Sequence, residues 1–260
     1  MNGKVIIITG ASTGIGAELA RQLAAQGAKI ALAARNKDKL NEVAKDCPDS
    51  IVIPTDVTDP TQCQHLIDQT VEHYGRLDVL VNNAGRTMWA LFEEIDDFDI
   101  YHQIMQLNYF GSVYCTKAAL PHLKQSKGLI TVISSLAGKT GVPTRTGYAA
   151  SKHALVGFFD SLRIELMDTG VDVTLIYPGF VVSEIHKRAF GADGQPLGES
   201  PMQEDKIMTT AECARLIADA MKKRKRDVIM TTRGKIGMWL KLLMPSRIDK
   251  IAQKAIQDRQ

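Results

Sequence analysis

The sequence predicts an α/β fold: a doubly wound parallel sheet of about seven strands, with helices on both faces, in a single domain. Three observations predict it. Short β-branched runs alternate with helical stretches from residue 4 to residue 230, and strand–helix repetition builds parallel sheets. The runs are apolar throughout rather than alternating with polar residues, as strands covered on both faces are. No internal repeat or low-complexity linker divides the 260 residues, a length suited to one such domain.

Lys4 to Ile8 is the first run, and it passes into Thr9-Gly10-Ala11-Ser12-Thr13-Gly14-Ile15-Gly16. Ala17 to Gln26 then reads as a helix ending near Gly27. A Gly-rich turn between strand and helix lets backbone amides approach a phosphate, and the helix N-terminus adds partial positive charge. The spacing is GxxxGxG, not the GxGxxG of the standard dinucleotide fingerprint. Placement after the first strand therefore carries more of the inference than the glycines do. Lys29 to Ala33 is the second strand, followed by Ala34-Arg35-Asn36-Lys37. In NAD-binding folds an acidic residue near this point accepts hydrogen bonds from the adenosine ribose. None stands at 33 to 36. Arg35, with Lys37 nearby, suits a 2′-phosphate instead, which favours NADP(H) over NAD(H).

A third strand, Ile51 to Ile53, leads to Asp56-Val57, and a helix spans Pro60 to Tyr74. The fourth strand, Val79 to Val81, runs into Asn82-Asn83-Ala84-Gly85. Small residues at the carboxyl end of a central strand are where a bound cofactor would lie. Residues 97 to 126 read as helical, contain Asn108, and are expected to break at Pro121. Leu129 to Ile133 is the fifth strand and ends in Ser134-Ser135; after the helix that carries Tyr148, strand Val171 to Ile176 closes at Pro178-Gly179-Phe180-Val181. Residues 183–207, punctuated by Gly191, Gly194, Pro196, Gly198 and Pro201, read as a mobile lid, because a loop of that length is uncommon unless functional. A helix from Thr210 to Lys223 and a strand from Val228 to Met230 complete a catalytic domain of residues 1–232. The 233–260 extension is apolar from Gly237 to Pro245 and amphipathic beyond. Packing on the domain or covering a pocket is favoured over peripheral membrane contact.

Composition excludes several classes. With 45% hydrophobic and 23% charged residues the chain can bury a large core, and a net charge of +3 is too weak to argue for nucleic acid. The basic cluster Lys222 to Arg226 reads as a solvated helix end, where cations suit the dipole. Cys47, Cys63, Cys115 and Cys213 form no CxxC pairing and the six histidines no HExxH spacing. No metal and a reducing, cytoplasmic compartment are expected. Neither a signal peptide nor a membrane span is expected.

The most informative stretch is Tyr148-Ala149-Ala150-Ser151-Lys152. On a helix its phenol and ammonium share one face, one turn apart. A free tyrosine titrates near ~10 and a free lysine near ~10.4. A cation a few ångströms from the phenol favours the phenolate and is expected to lower the tyrosine pKa toward working pH, as a proton donor to a carbonyl oxygen requires. Taken alone, the pair is better explained by a solvated helix face.

These motifs, in this order over residues 3 to 232, resemble the short-chain dehydrogenase/reductases in their common form of about 250 residues. The matching elements are Thr9-Gly10 to Gly16, Asp56, Asn82 to Gly85, Asn108, Ser135, Tyr148-x-x-x-Lys152 and Pro178-Gly179. The resemblance implies a Rossmann-type, homodimeric or homotetrameric enzyme. It implies that Gly10, Gly14 and Gly16 line the pyrophosphate turn, with Ser12, Thr13 and Ile15 in the same turn. Asp56 and the Val57 backbone would reach the adenine; Asn83, Ala84 and Gly85 would follow the cofactor's middle. Pro178, Gly179 and Val181 would hold the nicotinamide amide, with Ser183 where threonine is commoner. Ser135, thirteen residues before Tyr148, is chosen over Ser134. It would steady the reacting oxygen while Tyr148 exchanges its proton. Lys152 would bond the nicotinamide ribose and acidify Tyr148, and Asn108 would hold a water linking Lys152 to solvent. One departure matters: many NADP-using members carry a basic residue where this chain has Thr13, so Arg35 is expected to select the 2′-phosphate largely alone.

The substrate is expected to be an apolar ketone, aldehyde or secondary alcohol, lipid- or steroid-like. Met88, Trp89, Leu91, Phe92, Val142, Phe180 and Phe190 are candidate walls, and Val113, Leu155, Phe158 and Phe159 suit a subunit interface. The alternative is a cofactor-sensing regulatory protein on the same fold. It would be expected to have lost one of Ser135, Tyr148 and Lys152, and all three are present.

Overall fold

β1 (Val5–Thr9) is buried at every residue and lies in the interior of the sheet. It is flanked by β2 (Lys29–Ala34) on one side and β4 (Val79–Asn82) on the other, both parallel to it. β3 (Ser50–Pro54) extends the sheet beyond β2, and β5 (Leu129–Ile133), β6 (Asp172–Tyr177) and β7 (Asp227–Ile229) extend it beyond β4. The order is β3-β2-β1-β4-β5-β6-β7, all parallel. Chain direction across the sheet reverses between β1 and β4, and the crevice at their carboxyl ends is where such folds bind ligands. The computed structural model describes residues 1–203 and 207–257; parts of the expected lid (204–206) and tail (258–260) lie outside the described residues.

Strand pleating divides the core in two. Ile6, Ile8, Ile30, Leu32 and Val81 point to one face and pack on α1 (Gly14–Ala24) and α7 (Thr210–Lys222). Val5, Ile7, Leu80, Ile130 and Val132 point to the other. They meet α3 (Pro60–Tyr74), α5 (Gly111–Ser126) and α6 (Thr146–Glu165) through Leu66, Cys115, Leu155 and Phe159. α2 (Lys37–Ala44) is capped by Asn36, whose side chain accepts from the Lys39 amide. α3 starts at Asp59, which accepts from the Thr61 and Gln62 amides, and stops at left-handed Gly75.

Three expectations need correction. The helix does not break at Pro121: α5 runs through it to Ser126. The carbonyl that loses its donor, four residues earlier, belongs to exposed Lys117, where water can replace the missing bond. Upstream, α4 (Asp99–Met105) joins α5 through a π-helical turn, Gln106–Phe110, that places Asn108 fully inside. Leu155 and Phe159 are core residues, not interface residues; Val113 and Phe158 are half-buried. The apolar side chains left exposed near those helices are Phe110, Ile164 and Met167.

The segment after β6 is irregular but tied down. Phe190 bridges to Met88 and Pro196, and Val181 to Met208. The tail forms α8 (Thr232–Leu243) and α9 (Pro245–Gln257). Lys241 Nζ donates to the Lys139 carbonyl 3.1 Å away, while Trp239, Leu242 and Leu243 stay more than 70% exposed. No helix among the described residues is long and apolar enough to cross a membrane. All four cysteines are buried free thiols. In the basic cluster, Arg224 is paired with Asp172 and Arg226 with Asp160 and Asp227.

Candidate active site

The turn from β1 into α1 is shaped by close backbone approach. Gly10 sits at φ +66, and a Cβ there would lie 2.9 Å from the Ala84 Cα. At Gly16 a Cβ would come within 2.5 Å of the Asn83 Nδ2 and of the Gly10 carbonyl oxygen. Asn83 Nδ2 donates to the Thr9 carbonyl at 2.9 Å, and Thr9 Oγ1 accepts from the Asn83 and Ala84 amides. Thr13, at the N-cap of α1, makes no side-chain capping bond. The first amides of α1 are therefore left to another acceptor. Ser12, Thr13, Gly14 and Ile15 are half-buried around this turn. These features fit a dinucleotide: a floor too tight for any side chain, and uncapped amides at the helix end where a phosphate binds.

A second hollow is lined by Arg35, Asp56, Thr58, Arg86 and Asp99. Asp56 Oδ1 accepts from the Thr58 amide and hydroxyl, and Oδ2 stands 4.0 Å from Arg35 Nη1. Val57 is buried, against Gly111. Arg35 itself is largely in solvent.

At the other end of the groove, β5 delivers Ser135 and α6 delivers Tyr148 and Lys152. All three line one cavity of ≈ 290 Å³ together with Ile15, Asn83 and Gly85. Ser135 caps a short turn, Leu136–Gly138, by accepting from the Ala137 amide at 3.1 Å. Ser134 lies deeper, its hydroxyl donating to the Lys152 carbonyl. Tyr148 is in the first turn of α6 and is 7% exposed; Lys152 is 4% exposed. The Lys152 ammonium donates to the Ile133 carbonyl at 2.8 Å and lies 5.6 Å from the centre of the Tyr148 ring.

The electrostatics correct one expectation. Burial is the dominant cause at Tyr148, and it raises the phenol pKa rather than lowering it. The opposing influences are a hydrogen bond with Ser135 and the positive charge of Arg145. Lys152 is pushed down to about 8 by burial. Removal from water sets the direction at both groups, because desolvation penalises each charged form.

Asn108 uses both amide hydrogens, on the Arg86 carbonyl (2.9 Å) and Ser151 Oγ (2.9 Å), and its Oδ1 accepts from the Arg86 amide at 2.8 Å. A Cβ on Gly85 would lie 3.1 Å from that Oδ1 and 3.7 Å from Lys152 Nζ. Asn108 and Lys152 thus crowd the same glycine. One acceptor lone pair of Oδ1 is left for a water.

Pro178, Gly179, Val181 and Ser183 line the same cavity as Tyr148. Of the expected apolar walls, only Val142 and Phe180 line it. Met88 and Phe190 are buried in a small core of their own, and Phe92 is 60% exposed. Trp89 packs its ring on the Arg145 guanidinium, 4.6 Å away. Sequence reasoning missed Leu136, Ile185, His186 and Ala252, all of which line the cavity. It also missed Arg145, a buried residue one turn before Tyr148, a spacing that would have revealed it. Ala252 comes from α9, so the tail covers the pocket. Among the described residues no group of three His, Cys, Asp or Glu could hold a metal ion.

Comparison with known proteins agrees with this geometry. Residues 4–193 match the family model described as short chain dehydrogenase. The chain is 38% identical over 258 residues to the 11-beta-hydroxysteroid dehydrogenase 1A of Arabidopsis thaliana, covering 95% of this chain and 74% of that protein. It is 38% identical to a Dehydrogenase/reductase SDR family protein 7-like of Dictyostelium discoideum, covering 96% and 81%. Among solved structures, a short chain dehydrogenase/reductase from Burkholderia phymatum in complex with NAD superposes with a TM-score of 0.82 over 92% of this chain and 93% of that one. Its 23% identity makes that a likeness of fold. A putative short-chain alcohol dehydrogenase from Sinorhizobium meliloti gives a TM-score of 0.67 at 31% identity, over 71% and 75% of the two chains.

Proposed function

The chain belongs to the short-chain dehydrogenase family and is a nicotinamide-dependent oxidoreductase, and from that premise we propose that it is an NADP(H)-dependent enzyme for an apolar, ring-bearing ketone or secondary alcohol of steroid or lipid type. The convergence of Ser135, Tyr148 and Lys152 on one largely apolar cleft next to the glycine turn carries this reading. The steroid names of the plant relatives support the substrate class. Arg35, with no carboxylate at 33 to 36, supports the 2′-phosphate.

A bound nicotinamide supplies or accepts the hydride. In the reducing direction Tyr148 gives its proton to the substrate oxygen, and in oxidation it takes one back. Ser135, whose oxygen accepts from Ala137 and whose hydroxyl hydrogen-bonds Tyr148, turns its hydrogen to the same substrate oxygen when substrate enters and steadies the charge that builds there. The raised pKa of Tyr148 keeps it protonated at neutral pH, which suits an acid. Lys152, a cation below about pH 8, offsets the negative charge that the phenol acquires as it gives up its proton. Asn108 fixes the Arg86 peptide beside Lys152 and offers one lone pair for a proton-relaying water. Walls of Leu136, Val142, Phe180 and Ile185 exclude solvent from the transfer. The family's usual association into dimers or tetramers is part of the proposal.

The test is consumption of NADPH and of NADH against a panel of alicyclic and aromatic ketones. NADPH with ring ketones should turn over fastest. Tyr148→Phe should lower turnover by about 10²- to 10⁴-fold, the usual contribution of general acid catalysis, with cofactor affinity unchanged. A variant turning over at nearly the parent rate would remove Tyr148 from the mechanism. A parent that binds NADPH tightly but reduces nothing would favour a cofactor-sensing role.

A further inference from the structure

The cofactor groove holds more positive charge than its sequence motifs account for. Arg86 directly follows the Asn83-Ala84-Gly85 turn, and Arg188 lies in the segment after β6. Both approach the groove that Arg35 borders. Arg188 Nη2 donates to Thr13 Oγ1 at 3.2 Å, which places a guanidinium on the residue that opens α1. Arg86 Nε donates to the Arg188 carbonyl at 2.8 Å, and its guanidinium carbon stacks 3.4 Å from the Phe190 ring centre. Phe190 in turn is laced to the chain beyond β4: it donates to the Thr87 carbonyl and accepts from the Trp89 amide. One short stretch, residues 188–190, therefore spans the groove from the glycine turn to the far bank.

The charge balance of that span is uneven. Burial lowers the Arg86 pKa most, and the charges of Arg35 and Arg188 add to it, so both lie within electrostatic reach of Arg86. Among the described residues, Asp56 is the carboxylate paired with any of them, at 4.0 Å from Arg35. Arg35 and Arg86 share their hollow with Asp56 and Asp99, and Arg188 adds a third cation beside the uncapped helix amides; that grouping suits a multiply charged anion. An arginine fork suits a phosphate monoester better than a single point charge does. Thr13 is also the place where the sequence lacks a basic residue, and Arg188 brings one to it from elsewhere in the chain.

Building on the NADP(H) reading above, we propose that Arg188, seated on Thr13 and backed by Arg86, is a second binding residue for the cofactor's 2′-phosphate beside Arg35. Because Arg188 belongs to the segment that covers the substrate cavity through Ser183, Ile185 and His186, a 2′-phosphorylated cofactor draws this lid onto the groove. An unphosphorylated one does so less. The lid then reports which cofactor is bound before substrate enters, and the coupling is reciprocal: a seated lid holds the phosphorylated cofactor more tightly.

The experiment titrates NADPH and NADH into the full-length parent, Arg188→Gln and Arg35→Gln, following binding by calorimetry. In parallel it follows amide hydrogen exchange in residues 186–190. Losing one charge-assisted bond at an exposed site should weaken NADPH binding by about tenfold and NADH binding by less than about twofold. NADPH should slow exchange in the lid of the parent more than NADH does, and Arg188→Gln should abolish that difference. Thermal unfolding without cofactor should match the parent's, because Arg188 is exposed. Equal loss of both cofactors, or none, would overturn the role of Arg188, as would equal lid protection by the two. Arg35→Gln separates the two readings. If the parent prefers NADPH and Arg35→Gln narrows the preference while Arg188→Gln does not, the cofactor reading stands and this inference falls. A parent with no preference would overturn both.

Discussion

Gly10, Gly16 and Asn83 on one bank of the cleft and the lid and tail on the other are held in opposite ways. The cofactor bank is backbone against backbone: a Cβ at Gly10 would stand 2.9 Å from the Ala84 Cα, and Asn83 stitches β4 to the end of β1. Nothing there can move without moving two central strands. The substrate bank is side chains on irregular chain and two terminal helices, joined to the rest by isolated bridges and single bonds such as Lys241 to Lys139. Tight backbone packing fixes one ligand for good. Loosely attached apolar surface leaves the other ligand open to change, which is where a family sharing one reaction diversifies its substrates.

The sharpest way to break this contrast is on the rigid bank. Gly10→Ala combines a backbone clash with a side chain at φ +66, and should cost about 2–4 kcal/mol of stability and most cofactor affinity. Thermal unfolding and cofactor titration measure both, and near-normal values would mean that the bank is softer than its geometry. Between the banks lies Lys152, whose burial pushes its ammonium pKa down from the usual lysine value to about 8. The unfolded chain therefore binds the extra proton between those values, so stability rises with pH across that window and the burial penalty is fully present below it. Lys152→Met removes the penalty but strands the Ile133 carbonyl. It should be net stabilising by about 1–2 kcal/mol at pH 7, an upward shift of a few degrees in melting temperature. The advantage should fade toward pH 10. On the loose bank the effect should be smallest. Removing residues 245–260 uncovers the Ala252 side of the pocket and should raise KM for an apolar ketone about fivefold, roughly 1 kcal/mol of lost contact. Cofactor affinity should stay within twofold; a matching loss of cofactor would show the tail to be part of the rigid structure.

The same contrast explains what could be read in the sequence. The parallel seven-stranded sheet and the glycine turn were legible because buried parallel strands and φ-positive glycines leave few residue choices. Ser135, Tyr148 and Lys152 line one cavity, since one strand end and one helix face determine where they go. The direction of the Tyr148 pKa was not legible. It depends on how far both groups leave water, which spacing on a helix does not reveal. Pro121 was misread because the cost of a helical proline depends on whether water reaches the orphaned carbonyl. The pocket walls were misread because they come from residues distant in sequence, such as Ile185 and Ala252. Met88 and Phe190, equally apolar, turned inward to pack on each other.

The most direct measurement on the central claim is the pH dependence of single-turnover ketone reduction with saturating NADPH, in the parent and in Lys152→Met. A buried ammonium that supports proton donation by Tyr148 predicts a parent rate that falls as pH rises through about 8, and a variant at least about a hundredfold slower with no inflection there. A parent profile flat through that pH, or a variant reducing ketone at nearly the parent rate, would contradict the account.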